Sequence, residues 1–142
     1  MTFPLGLVVS VALAVPPAAA GPVTTLTYGQ MRPGQQFEIA TANQVFRGEF
    51  IDPATGECRA AMARAGEPWG APHRLWLLGA TQGAHAGSGG LQLTFMHQVR
   101  VGMKMELGMG SLNPENRIVT EPVRSITLLA SPTAHIQQTA LR

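Results

Sequence analysis

The side chains best suited to chemistry fall in one short stretch, where a histidine precedes two alternating methionines. His97, Met103 and Met105 lie within nine residues of one another, and Met96 and Met109 flank them. Thioether and imidazole groups together are ligands for soft ions such as Cu(I), and we extend the same expectation to Ag(I). One hypothesis is therefore a Cu(I) or Ag(I) site made of a Met-x-Met pair and a histidine.

The same residues also have an ordinary structural interpretation, and the pattern favours it. Met103, Met105 and Leu107 alternate with charged residues, as the inward residues of a half-buried strand do. Methionine is a common filler of irregular gaps in cores. His97 shares its predicted strand face with Leu93, where a lone histidine is usually a core residue. We therefore expect core residues here, with no metal ligand and no cofactor.

Other arrangements that would support catalysis are missing from the sequence. The eight carboxylates are spread singly over predicted strands and turns, so no pair is set across a cleft as a glycosidase requires. There is no Gly-x-Ser-x-Gly elbow and no His-Glu-x-x-His pair, and no helix with a lysine follows the glycine-rich segment 83–90. We expect a protein that is not an enzyme. A hydrolase ranks third, behind a non-catalytic binding module and a copper-binding protein, and it would need convergent acidic groups in a cleft.

The charge distribution argues against a nucleic-acid partner. The net charge is +2, and the ten basic residues are scattered without forming a run. Nucleic-acid-binding proteins usually gather their positive charge on one face or stripe.

Residues 1–20 have the pattern of a secretory signal peptide. An uncharged, mostly apolar run from Phe3 to Ala14 is followed by two prolines and three alanines, and cleavage after Ala20 would fit. The first basic residue is Arg32, so the start of the segment carries only the α-amino charge. The apolar run is too short to cross a bilayer, so we expect no transmembrane anchor in the mature chain. The predicted location is the periplasm or the exterior.

A single cysteine, Cys58, excludes an internal disulfide. An exported chain of this kind must be stabilised by core burial alone. We expect Cys58 to be a small buried hydrophobic residue and not a nucleophile.

Strand signals dominate after an extended lead-in at 21–35. Asp52-Pro53-Ala54-Thr55-Gly56 is the strongest turn signal, and Gly48 suggests a bulge or bend inside a strand. A helix over Cys58–Ala65 is the one competing element. The predicted strands are 37–41, 45–51, 57–63, 74–79, 91–99, 103–107, 117–120 and 123–129.

The spacing of these strands predicts an all-β fold of about seven antiparallel strands. We expect a small, highly curved barrel of SH3-like or Sm-like type, or a compact sandwich. The barrel would occupy 36–130, and 131–142 would form a flexible tail.

A small secreted β-barrel with a Met-x-Met pair on one strand face resembles the periplasmic copper-binding CusF-like proteins. The resemblance covers only Met103 to Met105. It implies copper as the ligand and a tryptophan contact at the site.

Trp76 alternates with two leucines, so its strand is buried on both sides or carries a patch that a partner covers. We favour burial on both sides. Taken together, the sequence predicts an exported, non-catalytic binding or structural module. Its partner would be another envelope protein or a cell-wall component.

Overall fold

The computed structural model describes residues 20–82 and 93–130, and in these residues the chain is all-β and antiparallel. The predicted signal peptide (residues 1–19 of it), the glycine-rich segment 83–90 and the predicted tail 131–142 lie outside the described residues. Two single turns of 3-10 helix occur at Tyr28–Gln30 and Pro114–Asn116. The strands are β1 (Gly21–Val23), β2 (Thr25–Thr27), β3 (Gln36–Thr41), β4 (Gln44–Asp52), β5 (Glu57–Arg64), β6 (His73–Thr81), β7 (Leu93–Met96), β8 (Gln98–Arg100), β9 (Lys104–Met109) and β10 (Arg117–Leu129).

Six of these strands form a closed ring of antiparallel pairs. The order is β3, β4, β5, β6, β9 and β10, and β10 pairs with β3 to complete the ring. β1 is added beside β10, and β7 is added to β6 beyond the end of β5. The predicted all-β, barrel-like fold is confirmed.

Alternate side chains of the ring fill its interior, as the period-two pattern predicts. Phe37 and Ile39 on β3 are fully buried, and the ring centroids of Phe37 and Phe50 lie 5.2 Å apart. Leu26 and Tyr28 reach the same core from the segment 21–35, where β2 pairs with β8. This segment is therefore partly extended, and it supplies two of the largest core side chains.

The turn between β4 and β5 is the predicted one. Thr55 and Gly56 donate backbone hydrogen bonds to the carbonyls of Asp52 and Pro53, each at 3.3 Å. Gly56 has a φ of 77°, which a residue with a Cβ adopts only with strain. The β5 strand that follows covers almost all of Cys58–Ala65, so the alternative of a helix there is wrong.

Gly48 does not lie at a bulge, so that half of the predicted bulge or bend is wrong. The register of β4 with β3 and β5 is unbroken at this glycine, and the irregularity in β4 lies between Phe50 and Asp52. A Cβ at position 48 would stand 2.7 Å from the Cβ of Ala60 and 2.7 Å from the carbonyl oxygen of Arg59. Glycine is required because two strands and the Phe37 ring approach closely, and not because of a bulge.

The C-terminal strand pattern was interpreted wrongly. The two predicted segments 117–120 and 123–129 are one strand, β10, which runs through Pro122. Its first part pairs with β9 and its second part with β3, with register shifts at Val119–Pro122 and Val123–Ser125. Proline is tolerated at such an irregularity because the ladder is already interrupted there.

The predicted strands 74–79 and 103–107 both end too early. Ala80 and Thr81 belong to β6, and β9 continues to Met109 before the chain turns. No helix within residues 20–82 and 93–130 is long and apolar enough to cross a membrane.

Candidate functional site

The predicted strand 91–99 is broken at His97. β7 ends at Met96, β8 begins at Gln98, and His97 between them has a φ of 59°. It is the single non-glycine residue with a positive φ in the described parts of the chain. Its backbone is held from both sides. Its N–H donates to the carbonyl of Leu78 at 3.3 Å, and its carbonyl accepts from the N–H of Tyr28 at 3.1 Å.

This break places the His97 side chain outside the core, so the expectation of a core histidine is wrong. The strand alternation assumed an uninterrupted strand, and the left-handed residue changes the direction of the chain. His97 is exposed, and its ring lies at 77° to that of Tyr28 with the centroids 5.8 Å apart. Residues in strained backbone conformations cluster at active sites and ligand clamps.

The two methionines of the predicted metal site have separate environments. Met105 is fully buried in the barrel core, as the strand pattern predicted. Met103 is half-buried in the turn before β9, where its N–H donates to the carbonyl of Arg100 at 3.2 Å. Neither residue lines the pocket beside His97, whereas Met96 does.

That pocket is a concave site where an imidazole, a carboxylate and a guanidinium meet. It has a volume of about 180 Å³ and is formed by the β4–β5 turn and strands β6, β7, β9 and β10. We call it the His97 pocket. Its lining residues are Thr55, Leu77, Leu78, Met96, His97, Glu106 and Arg117.

Glu106 is the residue of this pocket that the sequence did not single out. Its alternation with Met105 and Leu107 indicated a solvated carboxylate, but only 8% of its side chain is exposed. Within the described residues its one ion pair is with the Nη1 atom of Arg117, 3.6 Å from its Oε1 atom, and half of the Arg117 side chain is exposed. The burial arises from β6, β7 and β10 around the pocket, so no local pattern in β9 could have revealed it.

The pocket combines one anionic group, one cationic group and an imidazole with apolar walls. The Thr55 hydroxyl donates to the carbonyl of Asp52 at 3.3 Å, and Leu78 and Met96 supply the apolar surface. Few convergent polar groups in an otherwise apolar concavity are typical of small-ligand sites. Within the described residues no three His, Cys, Asp or Glu side chains come together as a metal-binding set.

Two buried titratable groups lie in the core near this end of the barrel. Burial raises the pKa of the Cys58 thiol well above its usual value, with a smaller contribution from Glu57, and the thiol donates to the Gly56 carbonyl at 3.3 Å. Burial likewise raises the pKa of Tyr28, and its hydroxyl has no hydrogen-bond partner within the described residues. The expectation that Cys58 is buried is confirmed. Its thiolate is disfavoured, which argues against a nucleophile.

Trp76 is not fully buried, so the expectation that its strand is buried on both sides is wrong. Its neighbours Leu75 and Leu77 point into the core, and Trp76 itself is half-buried on the outer side. The Arg74 guanidinium lies 4.7 Å from the centroid of its indole ring and forms an ion pair with Glu57. A stacked arginine therefore covers this aromatic side chain.

In comparisons with known proteins, no family model, curated protein or solved structure matched the chain. The function of the candidate site is therefore inferred from the geometry of the site alone.

Proposed function

We propose that the chain is an exported, non-enzymatic binding module that takes its ligand in the His97 pocket. The ligand would be an envelope protein or a cell-wall component. One observation carries the proposal: His97 holds a left-handed backbone conformation at the rim of a concave site. Such a conformation costs a non-glycine residue about 1–2 kcal/mol, and strained residues of this kind cluster at ligand sites.

The proposed export is supported by the signal-like pattern of residues 1–20. The proposed lack of catalysis is supported by the surroundings of Cys58, the candidate nucleophile, and of His97, the candidate base. Cys58 is buried in the core, and no carboxylate in the described residues is hydrogen-bonded to the His97 imidazole. An activated nucleophile normally needs an adjacent base that a third group orients.

Methionine methyl resonances give a direct test of the site. Protein labelled at the methionine methyl groups is titrated with fractions of an envelope extract. We expect the Met96 signal to shift, because Met96 lines the pocket, and the Met105 signal to stay, because it is buried in the core. His97→Ala should abolish the shift. Arg47→Ala, which removes a charge from the outer face of β4, should leave it unchanged.

A set of extract fractions that moves no Met96 signal would contradict the proposed site. Turnover of an added substrate by the purified protein would contradict the proposed lack of catalysis.

The handling of Cu(I) or Ag(I) is the second candidate function, and a specific observation favours it. Met96 and His97 are adjacent, both are exposed, and both line the same pocket. A thioether and an imidazole suit a soft ion. Met105, by contrast, has no exposed surface.

An anaerobic Cu(I) titration of three proteins separates the two possible metal sites. Loss of binding in the Met96→Leu/His97→Ala variant alone would place the metal in the His97 pocket. Loss in the Met103→Leu/Met105→Leu variant alone would restore the site predicted from the sequence. Equal binding by all three proteins, or binding by none, would remove the metal function.

A further inference from the structure

We infer that the His97 pocket binds an ammonium group carried on a short apolar stem, and that Glu106 is its anionic partner. The inference rests on the proposed function, because it uses the same pocket, and it names the chemical class of the ligand.

The first observation is that the Glu106 carboxylate has few partners for its degree of burial. An ionised carboxylate has about four acceptor positions, and a buried one is normally hydrogen-bonded or closely paired. Within the described residues Glu106 accepts no hydrogen bond, and its contact with Arg117 spans 3.6 Å. Charge-assisted bonds are usually about 2.7–2.9 Å long. The pair of Arg47 and Glu38 on the outer face reaches 2.7 Å, so this chain does form close pairs elsewhere.

The second observation is that no donor in the described residues forms a hydrogen bond to the Glu106 carboxylate. The backbone N–H of His97 donates to the carbonyl of Leu78, and the Thr55 hydroxyl donates to the carbonyl of Asp52. The Arg117 side chain is half exposed and held at a distance from the carboxylate. The pocket therefore has free acceptor capacity on Glu106, which a ligand with several N–H donors would satisfy. A primary ammonium provides three donors in a compact group.

The third observation is the character of the walls. Leu78 and Met96 expose apolar surface to the pocket, and its volume is about 180 Å³. A compact ammonium on an aliphatic stem matches a small cavity with one buried carboxylate and apolar sides. A carboxylate or phosphate ligand fits less well, because it would be placed close to the charge of Glu106.

The same chemistry has two sources, a free alkylamine or a lysine side chain of a partner protein. Lysine carries its ammonium on a four-carbon stem. An ammonium group bound to Glu106 would lie close to the Arg117 guanidinium, and the two like charges repel each other. Arg117 is then a competitor for the carboxylate and not a ligand contact. Removing Glu106 should therefore weaken the binding of the ammonium group, and removing Arg117 should strengthen it.

Calorimetric titration with hexylamine tests the inference, with hexan-1-ol and hexanoate as matched neutral and anionic probes. We expect saturable binding of hexylamine and at least tenfold weaker binding of the other two probes. Glu106→Gln, which keeps the side-chain shape, should lower the hexylamine affinity at least tenfold. Arg117→Ala should raise it about threefold or more. Arg47→Ala removes an arginine from a different face and should leave the affinity unchanged.

The inference is overturned if hexylamine and hexan-1-ol bind equally or neither binds, if Glu106→Gln binds like the wild type, or if Arg117→Ala weakens binding. Circular dichroism checks that Glu106→Gln is folded. If Glu106→Gln does not fold, the Arg117→Ala variant decides, because Arg117 is exposed and its replacement should leave the fold intact. Stronger hexylamine binding by Arg117→Ala supports the inference, and weaker binding overturns it. If envelope extract still shifts the Met96 methyl signal while hexylamine does not bind, the pocket function stands and the ammonium inference falls.

A short lysine-containing peptide and its lysine-acetylated form distinguish the two sources. Binding of the unmodified peptide alone supports a lysine of a partner chain. Binding of hexylamine without either peptide supports a free amine.

Discussion

His97 links stability and binding at a single residue. Its φ of 59° strains a histidine but not a glycine. We expect His97→Gly to change the free energy of unfolding by less than about 1 kcal/mol, because relief of strain offsets the lost ring contact with Tyr28. His97→Val should lower it by about 2 kcal/mol, because a β-branched residue is a poor fit to this conformation. Urea unfolding curves measure both effects.

The same His97→Gly protein should fail to bind in the methionine methyl titration despite its retained stability. A His97→Gly protein that is as unstable as His97→Val would show that the backbone there is not strained.

Cys58 predicts a specific dependence of stability on pH. Burial raises the pKa of its thiol, so above the ordinary cysteine pKa of about 8.5 the unfolded chain loses a proton that the folded chain keeps. The unfolded state then binds fewer protons, and the stability falls as pH rises. Between pH 8.5 and 9.5 we expect the wild type to lose about 1 kcal/mol more than Cys58→Ala, measured by urea unfolding. Equal slopes for both proteins would contradict this prediction.

At the residue scale, the sequence predicted which side chains carry useful chemistry more reliably than it predicted where those side chains lie in the structure. His97 was identified from its chemistry, but its exposure depends on the sign of one backbone dihedral angle, which no hydrophobic pattern records. Glu106 was missed because strands distant in sequence bury it. Cys58 and Met105 were predicted correctly because strand alternation alone decides their direction.

At the scale of the element, the β4–β5 turn makes two demands on one glycine. A Cβ on Gly56 would overlap the carbonyl oxygen of Leu77, and its φ is also positive. Gly66 has a φ of 79° with nothing near its missing Cβ. We expect Gly56→Ala to lower the free energy of unfolding by about 3 kcal/mol and Gly66→Ala by about 1 kcal/mol. Thermal or chemical unfolding of the two variants separates the cost of a positive φ, which both share, from the cost of the Cβ contact with Leu77, which only Gly56→Ala has.

Losses of the same size in both variants would mean that the turn can move away from Leu77. In that case the close approach of the β4–β5 turn to β6 would not be essential to the fold.

Hairpins were the elements that the sequence described best. The turn at Asp52–Gly56 joins strands that were predicted almost to the residue, because local turn chemistry determines it. β10 was divided wrongly because Pro122 is a strong local signal, while the pairing that accommodates it comes from β9 and β3. The break at His97 escaped notice for the converse reason, since no glycine or proline marks it.

At the scale of the whole molecule, the closed ring predicts how the barrel opens. A strand inside a ring has a hydrogen-bonded neighbour on each side, whereas β1 pairs only with β10 in the described residues. We expect hydrogen-bonded amides of β1 to exchange by local opening. Amides of β3, β4 and β10 should exchange only with global unfolding. Hydrogen exchange followed by NMR measures this, and β10 amides that exchange as fast as those of β1 would contradict it.

Because β10 pairs with both β9 and β3, the first and last strands of the ring meet only when residues 117–129 have left the ribosome. Until then β3 and β9 each present an unpaired edge to other chains. Contacts between segments so distant in sequence also slow folding. Newly made chains should therefore pass through an aggregation-prone interval, and a holding chaperone would shorten the exposure of those two edges.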